Sequence, residues 1–154
     1  MKMNNNFLIS IRKFSLKDLN RIMEIECNSF TTDTFSENTF LSLYSKCSGL
    51  FIVAEISGII TGYMVTCSYT KKARIISIAV DPVYKRRGIG TALVNFTFNQ
   101  LKTFYIRAVE LEVRITNKEG INFWKSFGFY PLKIVPDYYH DITDALIMKK
   151  LLEN

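Results

Sequence analysis

Val80-Asp81-Pro82-Val83-Tyr84-Lys85-Arg86-Arg87-Gly88-Ile89-Gly90-Thr91 is the stretch on which the fold turns. An apolar run before it (Ile75, Ile76, Ile78, Ala79, Val80) reads as a buried strand. Asp81-Pro82 ends that strand, because proline cannot extend a central strand. Lys85, Arg86 and Arg87 follow, then Gly88 and Gly90, and a helical pattern opens at Thr91. A glycine-bearing loop that opens a helix leaves backbone N–H groups unpaired. The helix dipole adds partial positive charge at the same place. Together they make a site for a phosphate-bearing ligand. A Walker loop is excluded, because Gly90 is followed by Thr91-Ala92. The dinucleotide fingerprint is excluded too, because Leu93 stands where its third glycine belongs. On the string alone, a solvated basic strand-to-helix turn is the plain alternative.

Working outward, the pattern alternates strands and helices. Phe7 to Arg12 reads as an edge strand. Ser15, with Asp18 three residues on, predicts a capping box and a helix to about Ser29. Ser36 caps a second helix that Gly49 stops. Leu50–Ile56, a Ser57-Gly58 turn and Ile59–Tyr69 predict a hairpin. After the strand ending at Val80 comes a helix to about Tyr105, then a strand over Ala108–Ile115. Thr116 and Glu119 predict a second capping box and a helix ended by Gly128. Phe129–Val135 and Ala145–Leu151 form a final antiparallel pair. The order β-α-α-β-β-β-α-β-α-β-β predicts a mixed α/β fold around one twisted sheet.

Composition narrows the class. At 154 residues and 48% apolar content, the chain is long enough to bury a core and too apolar for disorder. No apolar run approaches the ~20 residues that span a bilayer, so no membrane association is expected. Met1 to Asn6 open no long apolar signal segment, so a cytoplasmic protein is expected. Cys27, Cys47 and Cys67 match neither a disulfide framework nor a zinc site, which predicts reduced, packed thiols and no metal. The formal charge of +6 suits an anionic partner. Nucleic acid is one such partner, but no recognition motif accompanies the cations, so that reading ranks last.

The Lys85–Gly90 string resembles the pyrophosphate loop of the GNAT superfamily of N-acetyltransferases, Gln/Arg-x-x-Gly-x-Gly/Ala, with Lys85 at its first position. Leu111-Glu112-Val113-Arg114, Thr116-Asn117, Ser126-Phe127-Gly128-Phe129, Asp137-Tyr138-Tyr139 and Asp144 to Met148 follow in order. Ile25-Glu26-x-x-Ser29-Phe30 and Phe35-Ser36-Glu37 precede it. Together these are similar to the RimI-like and archaeal protein N-terminal acetyltransferase branch. The resemblance implies one N-acetyltransferase domain over residues 1–154, with a sheet of six to seven strands flanked by four helices.

The resemblance also assigns roles. Ile78, Ala79 and Val80 offer backbone groups to acetyl-CoA, and Arg86, Arg87, Gly88, Ile89, Gly90 and Thr91 hold its pyrophosphate. Asn117 contacts the cofactor, and Trp124 lies beside its sulfur, where the branch usually has a tyrosine acting as general acid. Indole N–H donates a hydrogen bond but releases no proton at useful pH, so Trp124 is no acid. A core tryptophan is its alternative. Glu112 is the general base, in a strand where a carboxylate is costly unless solvated or paired. Its alternative is an exposed residue pairing with Arg114 or Lys118. Phe30 and Phe35 on one side, Tyr138 and Tyr139 on the other, hold the acceptor. The implied reaction is acetyl transfer to the α-amino group of protein N-termini, with the ribosome or nascent chains as partners. The rivals are a lysine, polyamine or small-amine acetyltransferase, and an acyl-CoA-binding module that has lost turnover.

Overall fold

The computed structural model describes residues 8–153. Phe7, at the start of the predicted first strand, lies outside them. Seven strands and four α-helices follow in the predicted order: β1 (Ile9–Lys13), α1 (Leu19–Ser29), α2 (Glu37–Cys47), β2 (Phe51–Ile56), β3 (Ile59–Tyr69), β4 (Lys72–Val80), α3 (Ile89–Thr103), β5 (Ala108–Arg114), α4 (Lys118–Ser126), β6 (Tyr130–Val135) and β7 (Ala145–Leu151). The strands form one mixed sheet in the order β1-β2-β3-β4-β5-β7-β6.

The chain divides into two compact units. Among the described residues, the first holds 8–65 with 77–98, and the second holds 66–76 with 99–153.

In the first unit, β1 runs antiparallel to β2, and β2 antiparallel to β3. The β2–β3 turn carries Ser57 and Gly58 at φ +51° and +77°. Two successive positive φ values match the twist of a two-residue hairpin. Helix α1 buries Leu19, Ile22 and Ile25 at helical spacing, and α2 buries Phe40. Phe14 stacks on Phe51 at 4.1 Å, and Phe40 meets Tyr63 edge-on at 5.6 Å. Ser36 caps α2 as expected, accepting the Thr39 N–H at 3.2 Å. Ser15 and Asp18 also pair, the Ser15 N–H donating to Asp18 at 2.8 Å. They open a 3-10 turn over Leu16–Asp18, however, and α1 proper begins at Leu19. Arg12 also draws the Asp18 carboxylate into a two-pronged ion pair at 2.7 and 2.9 Å.

In the second unit, the start of β4 pairs parallel with β5, from Lys72↔Ala108 to Ile75↔Leu111. β7 then pairs antiparallel with both β5 and β6. Pro131 sits on the edge strand β6, beside a register shift, where a missing donor is tolerated. Val109, Leu111, Trp124, Phe129 and Met148 are buried. The cap of α4 is Asn117, not Thr116: its side chain accepts the Gly120 N–H at 2.9 Å.

The thiol expectation is corrected. Cys27 is exposed and free, whereas Cys47 and Cys67 are disulfide-bonded. Sequence spacing carries no information on the Cα approach that a disulfide needs. Among the described residues, no helix is long and apolar enough to cross a membrane.

Candidate active site

In the first unit, β4 leads into the basic loop and α3. Ala79 is buried, and Ile78 and Val80 are half-buried. The Val80 carbonyl accepts the Ser29 hydroxyl at 3.3 Å, so one of its two lone pairs is already engaged. Asp81 fixes the exit of the strand. Its N–H donates to the Thr61 carbonyl at 2.8 Å, and its carboxylate accepts the Val83 N–H at 3.0 Å and the Arg21 guanidinium at 2.5 Å. Burial alone would raise Asp81, but Arg21 and the Val83 amide outweigh it and hold the carboxyl below its ordinary range.

Arg86 and Gly88 then adopt φ +63° and +79°. The Ala92 N–H donates to the Gly88 carbonyl at 3.0 Å, which starts α3 at Ile89. Ile89 is buried and anchors the turn, while Lys85, Arg86, Arg87, Gly88 and Thr91 are exposed. The Arg87 guanidinium lies over the Tyr84 ring at 5.1 Å from its centroid. Positive φ in the turn, a helix N-terminus and exposed cations fit a pyrophosphate. Also in this unit, Phe30 is exposed and Phe35 half-buried, its ring 5.7 Å from Phe40.

In the second unit, Glu112 is half-buried on β5, opposite Ile147 of β7. Its carboxylate forms an ion pair with Arg74 and accepts the Tyr138 hydroxyl. Arg74 also reaches Tyr138, 3.5 Å from its oxygen. Arg114 pairs with both Asp141 oxygens at 2.9 Å and lies over the face of Tyr139, 4.1 Å from its centroid. That guanidinium pulls the Asp141 carboxyl down to about 2. The rings of Tyr138 and Tyr139 meet edge-on at 5.0 Å. Arg74, Glu112 and Tyr138 therefore form one cluster, and Arg114, Tyr139 and Asp141 a second.

Asn117 is exposed and spends its side-chain oxygen on the α4 cap. Trp124 is 6% exposed, with its ring 4.9 Å from Phe123 and 5.3 Å from Phe129. Its environment is a packed aromatic cluster. Arg74 was missed as a partner of Glu112. The signal that exposes it is the parallel β4–β5 register, which puts Arg74 opposite Glu110, one side-chain repeat from Glu112.

The acetyltransferase (GNAT) family model matches residues 18–129. An uncharacterized N-acetyltransferase of Methanocaldococcus jannaschii is 38% identical over 148 residues, covering 94% of this chain and 92% of its own. An N-alpha-acetyltransferase of Sulfurisphaera tokodaii is 32% identical over 151 residues, covering 90% of each chain. The crystal structure of Ard1 from Thermoplasma volcanium superposes with a TM-score of 0.91 at 31% identity, covering 95% of this chain and 99% of that one.

Proposed function

The chain belongs to the acetyltransferase (GNAT) family, and from that premise we propose that it transfers the acetyl group of acetyl-CoA to the α-amino group of protein N-termini. One observation carries the choice of acceptor. The likeness to an N-alpha-acetyltransferase runs across 90% of both chains, beyond the residues shared by the whole family. The reading takes residues 1–154 as one catalytic domain, working in the cytoplasm on nascent or finished protein chains.

Acetyl-CoA supplies the activated acyl carbon; this chain's residues do the rest. The amides and cations of Arg86 to Thr91 hold the pyrophosphate, and Ile78, Ala79 and Val80 present backbone groups to the arm that bears the acetyl group. Glu112 takes a proton from the acceptor ammonium, since only the free amine is nucleophilic. Arg74 supplies the counter-charge that lets a half-buried carboxylate persist, and the Tyr138 hydroxyl fixes its orientation. Tyr139, held by the Arg114 guanidinium, meets the acceptor peptide, as do Phe30 and Phe35. Asn117 borders the cofactor, and Trp124 shapes its surroundings by packing.

The test offers acetyl-CoA with short peptides differing at their first two residues, with polyamines and an internal lysine peptide alongside, and reads free thiol. Turnover on free N-termini, abolished by blocking the α-amine, is expected. A polyamine or lysine peptide outcompeting every N-terminus would overturn the reading.

A further inference from the structure

Glu26 is a buried carboxylic acid that the chemistry above does not use. It lies on the last turn of α1 and is 2% exposed. Among the described residues no lysine or arginine pairs with it, and burial pushes its carboxyl above the ordinary range. A buried ionisable group with no counter-charge is costly, so a hydrophobic residue here would pack at less expense. What the carboxyl does is hold chain.

The loop from Phe30 to Phe35 is tied at both ends to this one residue. At its start, the Phe30 N–H donates to the Glu26 backbone carbonyl at 3.0 Å. At its end, the Phe35 N–H donates to the Glu26 side-chain Oε1, also at 3.0 Å. The residues between, 31–34, are exposed, and Asp33 has φ +57°. The other oxygen, Oε2, accepts the hydroxyl of Tyr63, which is fully buried on β3. The Tyr63 oxygen is in turn 3.0 Å from the Ser77 hydroxyl on β4. The rings of Phe35, Phe40 and Tyr63 pack edge-on in series beside this chain of bonds.

We infer that Glu26 is a positioning residue for the acceptor, closing the Phe30–Phe35 loop into its binding shape with Tyr63 and Ser77 as its buttress. The inference rests on the proposed role of that loop in binding protein N-termini. It requires an acceptor oxygen facing Phe35 and a hydrogen-bonding group facing Tyr63, but no negative charge. Glutamine meets both needs: its Oε1 accepts the Phe35 N–H, and its Nε2 donates to the Tyr63 oxygen while the Tyr63 hydroxyl turns to Ser77. Alanine meets neither.

The test compares Glu26→Ala, Glu26→Gln and wild type by peptide KM, kcat and acetyl-CoA affinity. Glu26→Ala is expected to raise peptide KM about tenfold or more, the scale of a lost hydrogen bond to such a group. Its kcat and its affinity for acetyl-CoA stay near wild type. Glu26→Gln is expected to restore KM to within about twofold. A folded Glu26→Ala protein with unchanged KM overturns the inference, as does Glu26→Gln behaving like Glu26→Ala. Amide exchange on the wild-type protein decides the matter even if Glu26→Ala does not fold. The Phe35 amide should exchange far more slowly than those of residues 31–34, and equal rates would defeat the clamp. Peptide turnover by wild type with no KM change in the variant defeats this inference alone. No turnover on any peptide defeats the N-terminal reading, and this inference with it.

Discussion

Arg74 changes what Glu112 needs from its surroundings. A lone carboxylate in an apolar strand relies on burial to hold its proton near neutrality. Here a guanidinium pairs with it and a phenol donates to it. Glu112→Gln keeps the shape and the Tyr138 partner but takes no proton. It should lower kcat by about 10²-fold or more at neutral pH and leave acetyl-CoA affinity unchanged. Stopped turnover with calorimetric titration checks both, and wild-type turnover across the pH range would remove Glu112 from the mechanism. Trp124 stands at the other extreme. Enclosed by Phe123 and Phe129, it is read most directly as packing. Trp124→Phe should destabilise the fold by about 1–2 kcal/mol through the volume lost, with kcat changed less than about threefold. Denaturant melts beside initial rates separate the two, and a stable variant with collapsed kcat would return the indole to the chemistry.

At the scale of elements, two glycines are required for opposite reasons. Gly62 on β3 has ordinary backbone geometry, but a Cβ there would stand 2.9 Å from the Ala79 carbonyl and 3.2 Å from Ile89 Cγ2. Backbone cannot give way as a side-chain tip can. Gly62→Ala should therefore cost about 1–3 kcal/mol in thermal or urea melts and disturb the strand end that leads to the basic loop. Gly88 has open space around its Cβ position but φ +79°, so Gly88→Val is penalised by conformation, not collision. It should weaken acetyl-CoA binding far more than Arg86→Ala does, because the turn that aims the amides is lost; equal losses by calorimetry would favour simple charge attraction. These contrasts mark what the sequence discloses. Among the described residues, the order of the strands and α-helices was legible, because each carries a period of its own and is bounded by turn residues such as Ser57-Gly58 and Gly128. The basic loop was legible because its pattern is contiguous. The contacts of Glu112 with Arg74 and Tyr138, the cap at Asn117 and the state of Cys47 and Cys67 were not, since each depends on which residues the fold brings near. Glu26 was visible only as part of a motif, and its burial beside Tyr63 follows from packing that no local period encodes.

Over the whole molecule, the buried acids set opposing limits on stability against pH. Asp18 is held below its ordinary value of 3.8, chiefly by the Arg12 guanidinium, and Asp81 is lowered as well by Arg21 and the Val83 amide, against the effect of burial. A depressed folded-state value contributes stability above the unfolded value, and that contribution is lost as pH falls through the folded one. These two acids therefore contribute to the acid limb, below 3.8. Glu26 works the other way. Burial raises it above 4.5, so its contribution is complete below that value and is lost as pH rises through the raised folded-state value. The combined contribution of these three acids should then peak near the ordinary carboxylate range, and Glu26 adds a decline as pH rises above 4.5. Glu26→Gln removes that titration while keeping the contacts to Phe35 and Tyr63. Its urea midpoint, followed from about pH 3 to about pH 8 at fixed ionic strength, should match wild type near the peak and exceed it at neutral pH. Asp18→Asn should lower the midpoint at neutral pH and flatten the acid limb, because the partner that Arg12 stabilises no longer titrates. Parallel wild-type and Glu26→Gln curves above the ordinary carboxylate range would show that Glu26 is charged at no cost in the fold. That would require a counter-charge which neither α1 nor β3 supplies.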